Sequence, residues 1–312
     1  MIFVFQRVFD DYLQSIINFV GINIILAVSL NLTNGFTGLF SLGHPGFMAV
    51  GGYMAAILTF PASRKAALLP ALPDWLAAQQ WSLLPALLVG GACATLTALL
   101  IGFPVLRLRG HYLAVATLGF LIIVQVVITN LDRYTRGPLG LNGLPSLTNL
   151  EGVYLWMVVT LYVCWKVKHS SLGRTLLAIR ENELAAECLG IPLTRTRVLA
   201  LACGAFFAGV AGGLWAHLVT AITPTSFSVA MAFNLIVMVV IGGTGSITGA
   251  CIAAVILTSI TQMLRPLEEG LGAYGMSEMI MAIGLLGILI WRPQGILGSQ
   301  EPAWLEGREV EG

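Results

Sequence analysis

VLALACGAFFAGVAGGLWAHLVTAITPTSFSVAMAFNLIVMVVIGGTGSITGACIAAVILTSITQML, residues 198 to 264, runs for 67 residues without a single Asp, Glu, Lys or Arg. A soluble domain cannot sustain such a run, because its surface needs charge at about one residue in four. One helix crosses the hydrocarbon core with roughly 20 apolar residues, so this stretch holds three spans. Working outward, 52 uncharged residues lie between Asp11 and Arg64, and 32 between Asp74 and Arg107. Hydrophobic residues make up 57% of the 312 and charged ones 10%. That composition places the whole chain, 1 to 312, in a bilayer as one membrane domain of all-α architecture.

Spans are expected at about Tyr12–Leu32, Met48–Phe60, Leu83–Phe103, from after Arg109 to Thr129, Gly152–Trp165, Val198–Leu218, Ser228–Ile241, Ala250–Leu264 and Met276–Trp291. The first is read as retained, since MIFVFQRVFDDY has no basic region of the kind that opens a signal peptide. The count is nine, or ten if Gly35–Phe47 also crosses. GFTGLFSLGHPGF in that segment carries four glycines and Pro45. Such backbone survives in a membrane only where protein buries it or it lines a wet cavity. A second interruption, GGTGSITG at Gly242–Gly249, occupies a similar place in the second half. Paired interruptions point to a pathway between repeats; tight inter-helix turns are the plainer reading. Pro61–Trp81 and Asn130–Gly152 read as outer loops, the latter standing in water as turns.

Charge concentrates at Lys166–Arg197, KVKHSSLGRTLLAIRENELAAECLGIPLTRTR, which holds six of sixteen basic and three of fifteen acidic residues. The positive-inside rule assigns this island, Arg107, Arg109 and the polar tail 292–312 to the cytoplasm. The N-terminus then lies outside with nine spans and inside with ten. Ser170 or Ser171 caps a helix whose Leu172, Leu176 and Ile179 form an apolar stripe, with Arg174 and Arg180 off it. A second turn puts Glu183 and Glu187 on one side, and Gly190 and Pro192 stop it. Two readings stay open: a plug for a groove in another protein, or a solvated loop that only orients the chain.

Polar residues inside apolar runs are expensive and mark candidate sites. Asn31, Asn34, Thr37, Ser41, His44, His217 and Asn234 are candidates for lining a substrate pathway, and Glu278 for contacting substrate. For His44 and His217 a hydrogen-bonded structural role competes with that one. Cys93, Cys164, Cys188, Cys203 and Cys251 have no metal-ligand or CxxC spacing and read as packing residues. No Ser/His/Asp or paired-acid spacing suggests catalysis. The dispersed basic residues indicate no nucleic-acid partner.

The island resembles the coupling segment of ATP-binding-cassette importer permeases, whose signature is EAA, three residues, then Gly. Here the letters are Leu184, Ala185, Ala186, then Glu187, Cys188, Leu189 and Gly190, with the leading Glu displaced to Glu183. NLTNGFTGLFSLGHPGFMAVGGYMAA, RLRGHYLAVATLGF, RGPLGLNGLP, FFAGVAGGLWA, GGTGSITG and WRPQGILG extend the likeness to LivM-type branched-chain amino acid permeases, with urea and short-amide permeases as related alternatives. The resemblance implies a second related permease subunit, two cytoplasmic ATP-binding subunits, an extracytoplasmic binding protein, and ATP with Mg on the partners. The chain shows no phosphate-cradling G-x-x-x-x-G-K-[ST] loop of its own. Hydrophobic amino acids would pass inward by alternating access across a bacterial or archaeal inner membrane. An ion-coupled secondary transporter and an intramembrane enzyme are the readings from other classes.

Overall fold

Long apolar runs in lipid can satisfy their backbone only as helices, and helices account for nearly all the regular structure. A computed structural model describes residues 11–69, 71–108, 110–272, 275–292, 294–298 and 301. In chain order the helices are α1 (Asp11–Thr37), α2 (His44–Thr59), α3 (Ala62–Leu68), α4 (Asp74–Ala77), α5 (Leu83–Val105), α6 (His111–Asn130), α7 (Asp132–Thr135) and α8 (Leu150–His169). They continue with α9 (Ser171–Glu181), α10 (Glu183–Cys188), α11 (Leu193–Val219), α12 (Val229–Gly242), α13 (Ile247–Leu271) and α14 (Met276–Trp291). Among the described residues seven helices are long and apolar enough to cross a membrane: α1, α5, α6, α8, α11, α12 with the turn before it, and α13. Met276–Ile288 of α14 is a shorter apolar helix. Length and composition therefore identify seven crossings among the described residues, with the shorter α2 and α14 outside that set.

The differences in boundaries have local causes. α1 runs on to Thr37, so Asn34 and Thr37 are helical, and the break narrows to residues 38–43. Gly38 makes that break, with φ +69, a backbone state that side chains with a Cβ rarely adopt. Pro61–Trp81 is not a plain loop, since it folds into α3 and α4. Lys65, fully buried, donates from Nζ to the carbonyls of Leu58, Leu76 and Gln79 at 3.1, 3.2 and 2.6 Å. α8 is a full 20 residues, longer at both ends than the expected Gly152–Trp165 span. Asn130–Gly152 also holds more than turns. It contains α7, a 3-10 turn at Gly137–Leu139, and the strand β1 (Leu141–Asn142), antiparallel to β2 (Ala221–Ile222) with Leu141 opposite Ile222.

α11 is the hub, packed against α5, α2 and α1, and α1 in turn packs against α13 and α8. Lipid offers no hydrophobic drive between helices, so association depends on close van der Waals fit at small residues. Gly51 of α2, Gly90 of α5 and Gly209 of α11 supply that fit. A Cβ on Gly51 would lie 2.2 Å from the Gly209 Cα, and one on Gly90 would lie 2.6 Å from the Gly51 carbonyl oxygen. α6, α8 and α14 turn apolar rows outward, Val115, Ile123, Leu155, Tyr162, Ile283 and Ile290 among them.

Candidate functional site

The island folds as two helices for reasons visible in its letters. Of the two serines that could cap α9, it is Ser170: its Oγ accepts from the Gly173 N–H at 3.3 Å. Asn182 caps α10, accepting from the Ala185 N–H at 3.0 Å. Gly190 closes α10 in the left-handed conformation, φ +78. Its N–H donates to Glu187 O at 2.9 Å while Ile191 N–H donates to Ala186 O at 3.1 Å. That pair of bonds is the Schellman stop, which favours Gly at this position. Pro192 lies between this stop and α11 as the N-cap residue of α11. Glu183 forms a two-pronged ion pair with Arg197 of α11, at 3.0 and 3.2 Å.

The stripe faces the opposite way from the one expected of a plug. Leu176 and Ile179 are buried in this chain's own core, Leu172 is half-buried, and Ala186 is buried. The outward face instead carries Arg174, Leu184, Ala185, Glu187, Leu189 and Gly190, with Leu184 and Leu189 exposed by 67% and 79%.

Arg180 gives the island a direct hold on both interruptions. Its Nη1 donates to Gly35 O at 2.9 Å and to Thr244 O at 3.2 Å, so one guanidinium links the end of α1 to the turn between α12 and α13. Asn31, one turn earlier on α1, makes the same junction: Nδ2 donates to Ser246 O at 2.8 Å and Oδ1 accepts from Gly245 N–H at 3.0 Å. Lys168, at the end of α8, donates to Gly245 O at 3.1 Å. A cavity of about 190 Å³ lies beside this junction, lined by Asn34, Gly38, Phe40, Arg180, Val239 and Thr244 among others. The sequence suggests two interruptions; the structure brings them into contact and sets a cation from the island between them.

The pathway candidates fall into three separate places. Asn34 and Ser41 bond to each other across the break, at 3.1 and 3.2 Å. Thr37 Oγ1 donates to Thr33 O, and the His44 ring meets Ser29 Oγ at 2.9 Å. These side chains hold the broken segment together. His217 is remote, at the far end of α11, where its ring nitrogens meet Thr59 Oγ1 and Gly213 O, each at 2.6 Å. Asn234 lines a third place, a cavity of about 120 Å³ with Asn23, Thr258, Thr261, Gln262 and Met281. Glu278 is exposed in the first turn of α14. Sequence reasoning missed Lys168, and it placed Arg180 in the coupling segment without the two carbonyls that Arg180 holds. The sole signal was a basic residue 64 positions before a glycine-rich turn, and that spacing carries no information without the fold. The five cysteines form no disulfide, and no group of metal-binding residues is present among the described residues. Arg109 lies outside the described residues, as does the tail from 302.

The family model for branched-chain amino acid transport system permease components matches residues 12–289. The chain is 33% identical to the high-affinity branched-chain amino acid transport system permease protein LivM of Salmonella typhimurium, over 90% of this chain and 69% of the relative. The Escherichia coli protein of that name is similar to the same extent. At 22% identity, the probable branched-chain amino acid transport permease protein LivM of Methanocaldococcus jannaschii is covered over 93% of its length and 92% of this chain. A shorter likeness, 30% over 56% of this chain and 54% of the relative, links it to the autoinducer 2 import system permease protein LsrC of Klebsiella pneumoniae. No solved structure matches. With nearly the whole apolar region covered, this chain is a multi-pass cytoplasmic-membrane protein that belongs to the branched-chain amino acid transport system permease family.

Proposed function

We propose that this chain is one membrane subunit of an importer that moves branched-chain amino acids inward by alternating access, powered by ATP hydrolysed on partner subunits. The observation that carries the reading is Arg180, a charged side chain from α9 that bonds both chain interruptions at once. A push on the exposed face of α10 then has a rigid route to the α1 break and the α12–α13 turn. The outward set Leu184, Ala185, Glu187, Leu189 and Gly190 is the docking face. Leu176, Ile179 and Ala186 seat the island on its own bundle. Partners on this reading are a second related permease subunit, two ATP-binding subunits carrying ATP and Mg, and an extracytoplasmic binding protein that delivers the substrate.

Nine crossings follow if the buried α2 and the short α14 are counted with the seven long helices. The ends then alternate with Gly35, Gly245 and the island on the cytoplasmic side and β1, β2 and His217 on the outer side. Asp11 begins α1 outside. α2 then starts part-way through the membrane, since His44 meets Ser29 of α1. A rise of 1.5 Å per residue puts Ser29 about 12 Å from the end of α1.

The test is reconstitution of the complete transporter in liposomes with Glu187→Arg or Gly190→Val. The expected result is loss of ATPase-subunit capture and of leucine-stimulated hydrolysis. Retention of both at the parental level overturns the docking assignment. ATP-independent uptake by this chain alone under an ion gradient would overturn the class in favour of a secondary transporter. Repeating the uptake with urea or a short amide separates the related amide permeases from leucine carriers.

A further inference from the structure

The turn between α12 and α13 is flanked by two helix ends, each with backbone groups that its own helix cannot satisfy. The segment after α14 supplies the missing partners on both sides. Ile296 N–H donates to Ile241 O at 2.8 Å and Leu297 N–H to Gly242 O at 3.3 Å, covering carbonyls at the end of α12. Gly295 is pressed against the turn so closely that a Cβ there would lie 2.7 Å from the Gly243 Cα.

Three residues beyond Gly298, Glu301 occupies the other side. Its carboxylate accepts from Ile247 N–H at 2.7 Å, Thr248 N–H at 3.3 Å, Thr248 Oγ1 at 2.5 Å and Ser246 Oγ at 3.3 Å. It also pairs with Lys168 Nζ at 2.7 Å, with its side chain fully buried and that of Lys168 11% exposed. A carboxylate at a helix N-terminus satisfies free N–H groups and lies in the favourable end of the helix dipole. A charge buried to this degree is held by paired, charge-assisted bonds.

We infer that the segment after α14 is a latch on the α12–α13 turn, and that Glu301 is the positioning residue that ties this turn to Lys168 at the entry to the island. The inference rests on the proposed function, in that it assigns this junction a part in transmitting the ATPase stroke. Lys168 bonds Gly245 O and Glu301 from one ammonium, so it ties the end of α8 to the turn and to Glu301. Without Glu301, the first N–H groups of α13 and the ammonium of Lys168 lose their common partner. The turn is then tied to the island only through its Thr244 and Gly245 carbonyls, held by Arg180 and Lys168.

The experiment uses the full transporter in liposomes, with Glu301→Gln compared against the parent and against Arg180→Met. Two quantities are read: ATP hydrolysed per leucine imported, and hydrogen exchange across Gly242–Gly249. The latch predicts faster exchange there, with exchange at Leu141–Asn142 unchanged, and a rise of about fivefold or more in ATP per leucine, the lower range of coupling between sites. A structural role alone would lower the amount of active transporter without changing that ratio. An unchanged ratio or unchanged exchange in Glu301→Gln, with Arg180→Met raising the ratio, overturns the latch and leaves the proposed function standing. An unchanged ratio in both variants overturns both. If Glu301→Gln does not assemble, Lys168→Met, which leaves the carboxylate on α13, is read by the same two criteria.

Discussion

Replacing Asn31 by Leu swaps the two polar atoms of a buried amide for methyl groups on the same branched skeleton, so its minimum cost follows from the bonds it breaks. Asn31 is fully buried on α1. Its Oδ1 is the acceptor that the structure gives to Gly245 N–H, at 3.0 Å. That donor is left buried and unpaired, at a cost of about 1–3 kcal/mol. The other bond, Nδ2 to Ser246 O at 2.8 Å, is partly insured, since Ser246 O also accepts from Ala250 N–H at 3.2 Å. Losing it adds about 0.5–1.5 kcal/mol. The sum is about 1.5–4.5 kcal/mol, a large share of the marginal stability of a folded domain. It should appear as a lower midpoint in equilibrium unfolding by SDS in mixed micelles. Asn142→Leu, at an exposed amide bonded only to Leu139 O at 3.3 Å, is the control and should change the midpoint little. If the two variants are equally stable, Asn31 does not hold the α12–α13 turn, and the junction between the two interruptions loses its main support.

Other outcomes follow from the same geometry. Gly35→Ala places a Cβ 1.8 Å from Asn31 Oδ1 and 2.6 Å from Gly245 N, so it should abolish detergent-stable protein. Gly119→Ala, with nothing within 4 Å of the added carbon, should purify like the parent, and size-exclusion profiles compare the two. Leu184→Glu with Leu189→Glu alters only the exposed face of α10 and should eliminate co-purification of ATP-binding subunits while leaving the unfolding midpoint in place. The pH response centres on Glu301, which faces the Lys168 ammonium with the Cys251 thiol nearby. Burial pushes its carboxyl up, but the bonds from Lys168, Thr248 and Ile247 outweigh this and hold it below its ordinary 4.5. A carboxyl lowered on folding stabilises fully above its unfolded value, about 4.3, and loses that contribution as pH falls through the folded value. Acidification below about 4.3 should therefore lower the protection factors of the Ile247 and Thr248 amides, taken relative to intrinsic exchange at each pH, and Glu301→Gln should remove the effect.

Sequence alone determined that the chain lives in a bilayer and roughly where its helices lie. Those properties depend on run length and on charge, both of which survive projection onto a line. A cap at Ser170 or Ser171 and a stop at Gly190 were legible for a similar reason, because caps and stops act over three to five residues. Only the tertiary structure decided which way the α9 stripe faces, since Leu176 and Ile179 fit a partner's groove and the chain's own core equally well by periodicity. The segments Gly35–Phe47 and Gly242–Gly249 looked alike in composition. That they touch, with Arg180, Asn31 and Lys168 at the contact, depends on contacts spanning 64 to 215 positions. The scattered pathway candidates dissolved into three places for the same reason: a polar residue in an apolar run must find a partner, but the run does not say where the partner is.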